Sequence, residues 1–380
     1  MNQRANPPMI PFIDVAAQRR RLGGAIDAAI AQVLGHCQFI LGPEVRMFEA
    51  ELAAFCGAKH VVTCASGTDA LVLALRARGI GSSDAVICPS FTFCATAEVA
   101  ALVGATPVFV DIDERTFNID VKGIAGAIAA AKRAGLTPKA IIPVDLFGLP
   151  ADHSGIAVAA GGLFILDDAA QAFGASFNNR RLGTFGHATA TSFFPAKPLG
   201  CYGDGGAVIT DDGDMADLLR SLRMHGQGSD RYDNVRIGLA SRLDTVQAAI
   251  LSEKLRIFPD EVEARNTIAR RYSDALRGTV IVPEVPAGSL SVWAQYTIRV
   301  SGGRRDKLAA ALKAEGVPTA IYYPIPLHRQ QAYKHFPVGD GGVAVSEKLA
   351  GEVISLPMHA YLDAATQDRI IDAVRRALAP

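Results

Sequence analysis

Residues 192–206 read Ser-Phe-Phe-Pro-Ala-Lys-Pro-Leu-Gly-Cys-Tyr-Gly-Asp-Gly-Gly and set Lys197 among aromatic, proline and glycine neighbours. The ordinary interpretation of a lysine is a solvated surface residue. Lys197, however, has no adjacent acid to pair with, and apolar surroundings favour the uncharged amine. Because a lysine with a lowered pKa is nucleophilic, this segment is typical of a lysine that forms a Schiff base.

The segments before and after this loop alternate β-rich runs with alanine-rich helical stretches, which predicts a mostly parallel sheet covered by helices. A long helical region over 243–277, interrupted near Pro259, is followed by a second group of strands and helices with a different sequence pattern. We therefore predict a large domain over 1–250 and a smaller α+β domain over 251–380, with the N-terminal residues able to pack on the smaller one. The predicted strands are 61–64, 85–88, 107–110, 140–144, 163–166, 188–193, 207–210, 293–300 and 317–321, and the predicted helices are 68–78, 95–103, 121–134, 152–160, 212–224, 304–315 and 364–378.

Composition excludes several classes of protein. The 380 residues carry 38 Lys+Arg and 38 Asp+Glu, so no global basic field is available for nucleic acid or an anionic membrane. The apolar runs are too short to span a bilayer, and residues 1–10 lack the apolar core of a signal peptide. The six cysteines form no CxxC pair and no cluster with histidines. We therefore expect a cytoplasmic protein without a structural metal.

A first ligand loop follows strand 61–64. In open α/β sheets, ligands bind beyond the carboxyl ends of the strands. Ser66 is suited to cap a helix there, and Gly67 permits close approach of the backbone. A helix start of this kind binds anions through its free N–H groups, although an ordinary capped turn has the same pattern.

A second ligand loop follows strand 163–166 and begins with Asp167 and Asp168. Solvated acids are common in loops, but a pyridoxal ring needs a carboxylate against its ring nitrogen. Ser192, five residues before Lys197, adds a hydroxyl group for a phosphate. An anion site, an acid and an amine, each at a strand end, together predict pyridoxal 5'-phosphate (PLP) as the cofactor.

A dinucleotide is the competing cofactor, because residues 203–206 superficially match a glycine-rich fingerprint. This run lacks the final Gly or Ala of G-x-G-x-x-G, and it precedes a strand instead of opening a helix. The sequence also contains no P-loop and no G-x-S-x-G elbow. We therefore reject nucleotide-fold and hydrolase interpretations.

The remaining motifs read ASGTDAL (65–71), CPSFTFCATA (88–97), LDDAAQAFGA (166–175), SRLDTVQAAIL (241–251) and YPIPLHRQ (323–330). Together with the lysine loop they resemble the DegT/DnrJ/StrS family of PLP-dependent nucleotide-sugar aminotransferases, from about Pro11 to Leu362. The resemblance implies fold type I, similar to aspartate aminotransferase, with a large α/β/α domain and a smaller C-terminal α+β domain. It also implies a homodimer with PLP at the subunit interface.

The resemblance implies roles for the residues that match its motifs; for Phe93 the alternative is a core phenylalanine. Lys197 would form the Schiff base, Asp168 would bind the pyridine nitrogen, and Gln171 would contact the ring hydroxyl. Gly67, Thr68 and Ser192 would bind the phosphate, and Phe93 would stack on the ring. Arg242, Tyr322 and His328 would contact the substrate.

The sequence departs from the family pattern at two positions. Ala240 stands where the family usually has an asparagine that reaches the partner's cofactor phosphate, and Ser241 or a water could replace that contact. Tyr322 stands where relatives often carry histidine near the sugar. Arg242 suits a carboxylate, but it could equally be structural and pair with Asp244.

The expected reaction is transfer of an amino group from L-glutamate to a nucleotide-linked keto sugar. The motifs look most like C-3 aminotransferases of UDP-3-keto-N-acetylhexosamines, including the 3-oxo-glucuronate type, which would supply lipopolysaccharide or other surface glycans. Alternatives are a dTDP-3-keto-6-deoxyhexose or a 4-keto sugar as substrate, and a catalytically silent PLP-binding relative. A family dehydratase would carry histidine in place of Lys197.

Overall fold

The computed structural model describes residues 10–230 and 232–379. The expectation that the chain lacks a signal peptide falls on residues 1–10 and so lies almost wholly outside the described residues. Among the helices that are described, none combines the length and the apolar character needed to cross a membrane.

Three helices open the described chain, and strands and helices then alternate between residues 60 and 168 before four further strands follow. The helices are Val15–Leu22 (α1), Gly24–His36 (α2), Pro43–Cys56 (α3), Gly67–Ala77 (α4), Ala95–Leu102 (α5), Ile124–Arg133 (α6), His153–Ala159 (α7), Gly213–Leu222 (α8), Thr245–Leu276 (α9), Arg305–Ala314 (α10), Ala344–Ala350 (α11) and Ala364–Leu378 (α12). The strands are His60–Cys64 (β1), Asp84–Pro89 (β2), Thr106–Val110 (β3), Thr137–Ile141 (β4), Phe164–Asp168 (β5), Ser176–Phe177 (β6), Arg180–Arg181 (β7), Ala188–Ser192 (β8), Gly206–Thr210 (β9), Ser289–Leu290 (β10), Tyr296–Arg299 (β11) and Val353–Leu356 (β12).

The central sheet has the strand order β1-β9-β8-β5-β4-β2-β3. Only β9 runs antiparallel to its neighbours, β1 and β8, while the other pairings are parallel. The predicted α/β class with a mostly parallel sheet is confirmed. Because β1, β2, β5 and β8 share one direction, the loops that follow them meet at one edge of the sheet.

Helices cover both faces of this sheet, which explains the continuous apolar run of β5. Leu166 packs on one face with Leu73 of α4 and Val99 of α5. Ile165 packs on the opposite face with Ile124 of α6 and Ile156 of α7. Strands buried on both faces lack the polar alternation of half-exposed strands, and so the sequence pattern identified them well.

The C-terminal part packs around its own core, in which Ile10 and Tyr272 contact the β11–β12 pair and α12. Two sequence predictions about this region are wrong. Helix α9 runs without a break through Pro259, since buried residues on both sides, such as Phe258 and Val262, pack on the core. Residues 317–321 form only a bridge at Ala320, because Pro318 has no N–H for a ladder, and β12 pairs with β11 instead.

Candidate active site

Asp168 is the last residue of β5 and is buried at the carboxyl edge of the sheet. Its Oδ2 accepts a hydrogen bond of 3.0 Å from Thr96 Oγ1, and its Oδ1 accepts one of 3.2 Å from the Ala170 N–H. Burial raises the pKa of Asp168, while the Ala170 N–H and the charge of Lys197 act to lower it. The carboxylate is therefore fixed in direction and faces the amine that the sequence singled out.

Lys197 lies in the loop between β8 and β9, and its backbone N–H donates to Phe194 O at 2.8 Å. The loop closes on itself because the Cys201 N–H donates to Phe193 O at 2.7 Å. Burial lowers the pKa of Lys197, and the negative charge of Asp168 opposes that shift. The resulting amine is easier to deprotonate than an exposed lysine.

A second buried lysine, which the sequence analysis missed, supports this loop from α9. Lys254 Nζ donates to Gly200 O at 2.6 Å and lies 4.2 Å from the ring centroid of Tyr202. Burial lowers the pKa of Lys254 to about 8. No local pattern marks Lys254, since its partner is 54 residues away in the chain.

The loop after β1 and the end of β8 meet closely. Ser66 Oγ accepts a 3.0 Å hydrogen bond from the Asp69 N–H and so caps α4, whose first two residues are Gly67 and Thr68. A Cβ atom on Gly67 would lie only 2.6 Å from Cβ of Ser192. Gly67, Thr68 and Ser192 therefore surround a helix N-terminus that is suited to a phosphate group.

Gln171 and Phe93 approach the same edge through Tyr323, another residue that the sequence analysis did not select. Gln171 Oε1 accepts from the Phe147 N–H at 2.7 Å, and its Nε2 donates to Tyr323 OH at 3.1 Å. The ring centroid of Phe93 is 6.4 Å from that of Tyr323. Phe93 is 52% exposed, so it is not a core phenylalanine and its ring is available to a ligand.

The predicted substrate residues have different surroundings. Arg242 makes only a long 3.9 Å contact with Met224 Sδ, and within the described residues no carboxylate, including that of Asp244, forms an ion pair with it. Ser241 Oγ donates to Asp69 Oδ2 at 2.6 Å and accepts from the Ala65 N–H, so it already has partners inside its own chain. Arg242 thus remains open to a ligand.

Tyr322 and His328 also differ from each other. Tyr322 is half-buried, with its ring centroid 5.8 Å from that of Tyr323. His328 has both ring nitrogens engaged, Nδ1 with Ser90 Oγ at 2.7 Å and Nε2 with Glu347 Oε1 at 3.1 Å. The structure therefore places Tyr322 beside the site, whereas His328 links Ser90, the residue after β2, to α11.

These residues fit the chemical groups of PLP. The buried carboxylate of Asp168 complements a protonated pyridine nitrogen, and the amine of Lys197 complements an aldehyde. The helix N-terminus surrounded by Gly67, Thr68 and Ser192, here called the cradle at Gly67, complements a phosphate. Fold and site together define a PLP-dependent transaminase.

The chain belongs to the DegT/DnrJ/EryC1/StrS aminotransferase family, whose profile matches residues 21–375. It is 48% identical to a UDP-2-acetamido-2-deoxy-3-oxo-D-glucuronate aminotransferase of Pseudomonas aeruginosa, over 94% of this chain and 97% of that protein. It is 44% identical to a UDP-N-acetyl-3-dehydro-alpha-D-glucosamine 3-aminotransferase of Acidithiobacillus ferrooxidans, over 97% and 98% of the two chains. A DegT/DnrJ/EryC1/StrS aminotransferase structure from Brucella abortus superposes with a TM-score of 0.95 at 55% identity, covering 98% of this chain and 100% of that one.

The cradle at Gly67 leads to a first prediction. In Gly67→Ala the new Cβ would displace Ser192, because the two Cβ atoms would be 2.6 Å apart. Overpacking of this kind costs about 1–3 kcal/mol, so we expect PLP to bind about 5- to 150-fold more weakly. Titration of the cofactor-free protein with PLP measures this. Gly24→Ala is the control, because Gly24 also opens a helix but has no atom within 4 Å of its added Cβ; equal affinity of the two variants would contradict the cradle.

Proposed function

We propose that the chain transfers the amino group of L-glutamate to C-3 of a UDP-2-acetamido-2-deoxy-3-oxo-hexose or -glucuronate, giving a UDP-amino sugar for surface glycan synthesis. One observation supports the reaction class above all others: Asp168 ends β5 and Lys197 lies in the loop after β8, the parallel strand that pairs with β5, so that a buried acid and a half-buried lysine share one edge of the sheet. The names of the relatives at 48% and 44% identity support the substrate class.

The residues divide the work of a transamination. When bound, the pyridoxal ring acts as an electron sink for the bond that breaks at Cα of the amino donor. Asp168 would stabilise a proton on the ring nitrogen, and the second N–H of Gln171 Nε2 would donate to the ring hydroxyl. Lys197 Nζ would anchor the cofactor aldehyde, and once displaced it would accept the Cα proton of the donor and return a proton to C4' of the cofactor. Its lowered pKa favours the uncharged amine that this step needs.

Arg242 separates the two sugar types within this proposal. Its guanidinium has no carboxylate partner in the described chain, and a planar guanidinium binds carboxylates in a bidentate manner. We propose that it contacts the C-6 carboxylate of a 3-oxo-glucuronate. A 4-keto or dTDP-linked sugar would offer a different shape to the same site.

A substrate panel tests this proposal. UDP- and dTDP-linked 3-keto and 4-keto sugars, incubated with enzyme and L-glutamate, should give the mass of an amino sugar fastest with a UDP-3-keto substrate. Arg242→Gln should raise KM about 10- to 100-fold for the glucuronate, as expected for one lost charged hydrogen bond, and much less for the uncharged hexose. Preference for a dTDP-sugar, or an equal rise in KM for both UDP-sugars, would contradict the assignment.

We further propose that two copies of the chain complete the site as a homodimer. Phe93 and Phe194, close to the site in sequence and space, are 52% and 51% exposed. The segment 225–238 also exposes Tyr232 and Ile237 and borders an open cavity of about 810 Å³ that none of the predicted site residues lines. Exposed aromatic side chains beside a ligand site are consistent with burial against a second copy of the chain. Sedimentation should give twice the 40.0 kDa chain mass, and a monomer with full activity would contradict this proposal.

A further inference from the structure

Three buried ionisable residues lie together on the side of the sheet away from Lys197. His153, at the start of α7, has Nε2 3.0 Å from Asp145 Oδ1 and Nδ1 3.5 Å from Asp167 Oδ1. The second oxygen of Asp145 and both oxygens of Asp167 are buried without any hydrogen-bond partner in the described structure. Such carboxylates are costly to bury, so a compensating charge is needed. We refer to Asp145, His153 and Asp167 as the His153 clamp.

The surroundings of His153 favour a positively charged ring. Its imidazole stacks on Phe185 at 4.7 Å between centroids, and Phe177 meets it edge-on at 5.9 Å. Burial alone would lower the pKa of His153, but the carboxylates of Asp167, Asp145 and Asp152 overcome this and raise it to about 9. Burial raises the pKa of Asp167 well above its usual range, and the charge of His153 opposes that shift. A proton on each ring nitrogen would place one N–H toward Asp145 and the other toward Asp167.

One arm of the clamp reaches the site through strand β5. Side chains of neighbouring strand residues point to opposite faces, so Asp167 faces α7 while Asp168 faces Thr96 and Lys197. The backbones are tied as well, because the Asp145 N–H donates to Asp168 O at 3.0 Å and the Asp168 N–H donates to Pro143 O at 2.9 Å. A displacement of Asp145 would therefore also shift Asp168 through the backbone hydrogen bond between them.

The other arm reaches the site through the loop 145–151. Asp145 Oδ1 accepts from the Ala151 N–H at 2.7 Å and thereby closes this loop. Inside it, Phe147 adopts a left-handed φ of 60° and donates its N–H to Gln171 Oε1 at 2.7 Å. Only a well-held loop keeps a bulky residue in that conformation. The direction of Gln171 thus depends on the same aspartate that His153 binds.

We propose that the His153 clamp positions Asp168 and Gln171, holding the two polar residues of the cofactor ring in place from the opposite face of the sheet. This rests on the proposed roles of Asp168 and Gln171. His153 does not touch the reacting atoms, so it is a positioning residue. The hydrogen bond from Nε2 to Asp145 carries the effect, because Asp145 is bonded to both Asp168 and the loop that holds Gln171.

A divalent cation is the alternative occupant, since one ligand atom from each of the three residues lies within 4.8 Å of the others. The two aspartates, however, lie against different nitrogens of the same ring. One ion cannot bind both nitrogens of an imidazole, whereas a ring with two N–H groups hydrogen-bonds Asp145 and pairs its charge with Asp167 at 3.5 Å. The geometry therefore favours a protonated ring.

Two variants of His153 distinguish the contact of Nε2 with Asp145 from the contact of Nδ1 with Asp167. Glutamine can place an amide N–H near the position of Nε2, and asparagine near that of Nδ1. His153→Gln should keep the bond to Asp145 and retain PLP affinity and kcat within about threefold. His153→Asn should lose it, with kcat lower and the PLP dissociation constant higher by about tenfold each, as for one charged hydrogen bond, and KM for the keto sugar unchanged.

PLP titration, stopped-flow reaction with L-glutamate and thermal melting read out these effects. His187→Asn is the matched control, because His187 Nδ1 accepts from the Ile165 N–H at the other end of β5. Equal loss in His153→Gln and His153→Asn, or no loss in a folded His153→Asn, would overturn the proposal. Asp168→Asn, measured in parallel, distinguishes failure of the His153 clamp from failure of the roles proposed for the site. If it is impaired while His153→Asn is not, only the clamp fails; if neither is impaired, the roles proposed for the site fail too.

Proton NMR of the cofactor-free wild type keeps the proposal testable if His153→Asn does not fold. Two slowly exchanging ring N–H signals of His153 at about pH 7.5 are expected from a buried imidazolium. A ring without a proton on Nε2 would overturn the proposal, and so would a stoichiometric divalent ion in the purified protein that His153→Gln releases.

Discussion

Replacement of Lys197 by alanine should lower kcat by more than about 10⁴-fold, because we propose that this one residue supplies both the covalent anchor and the proton transfer. The absorbance band of the Schiff base should also be lost, since PLP in the site would then remain a free aldehyde. Stopped-flow reaction with L-glutamate and absorbance spectra measure the two effects. Lys197→Arg should behave in the same way, because a guanidinium stays protonated and is not a nucleophile.

The control for this substitution is Lys139→Ala, which removes an exposed lysine of β4. It should leave both kcat and the absorbance unchanged. Lys254 is unsuitable as a control, because its ammonium holds Gly200 in the same loop as Lys197. A Lys197→Ala protein that keeps turnover and the absorbance band would contradict the role assigned to this amine.

Replacement of Asp168 by asparagine should lower kcat by about 10²–10³-fold, a typical cost of removing one preorganised electrostatic group. Asparagine is nearly isosteric and can still accept from Thr96 Oγ1, but it has no charge to keep the ring nitrogen protonated. The negative charge of Asp168 also raises the pKa of Lys197, so its loss should lower that pKa further. The acid limb of the pH–rate profile should therefore move to lower pH.

Asp211→Asn is the matched control, because Asp211 follows β9, the antiparallel strand, and so lies at the other edge of the sheet. It should leave kcat and the pH–rate profile unchanged. Near-normal turnover in Asp168→Asn, or an acid limb that moves to higher pH, would show that this carboxylate does not act on the ring and on Lys197.

The sequence predicted the central sheet because its strands are buried on both faces and end in abrupt polar loops. Strand β5 shows this well, with an apolar run that stops at Asp167 and Asp168. The sequence indicates the strands outside the central sheet less clearly. Strands β6, β7 and β10 have two residues each, and β12 has no turn residue that marks its partner. Helix α9 shows that tertiary packing overrides a single proline.

The candidate site was predictable where a residue carries its own local context. Lys197 has an unusual neighbourhood, and Gly67 opens a helix directly after a strand. Thr96, Tyr323 and Lys254 carry no such signal, because each acts through a partner more than 50 residues away. No local sequence pattern marks His153 either, since Asp145 and Asp167 become its neighbours only when β4, β5 and α7 assemble.

Borohydride reduction of the PLP-loaded protein, followed by peptide mapping, tests the covalent role of Lys197 most directly. The reduced cofactor should be found on the peptide that contains Lys197 and on no other. A label on another lysine, such as Lys254, or no label in protein that binds PLP, would contradict the assignment of Lys197 as the anchoring amine.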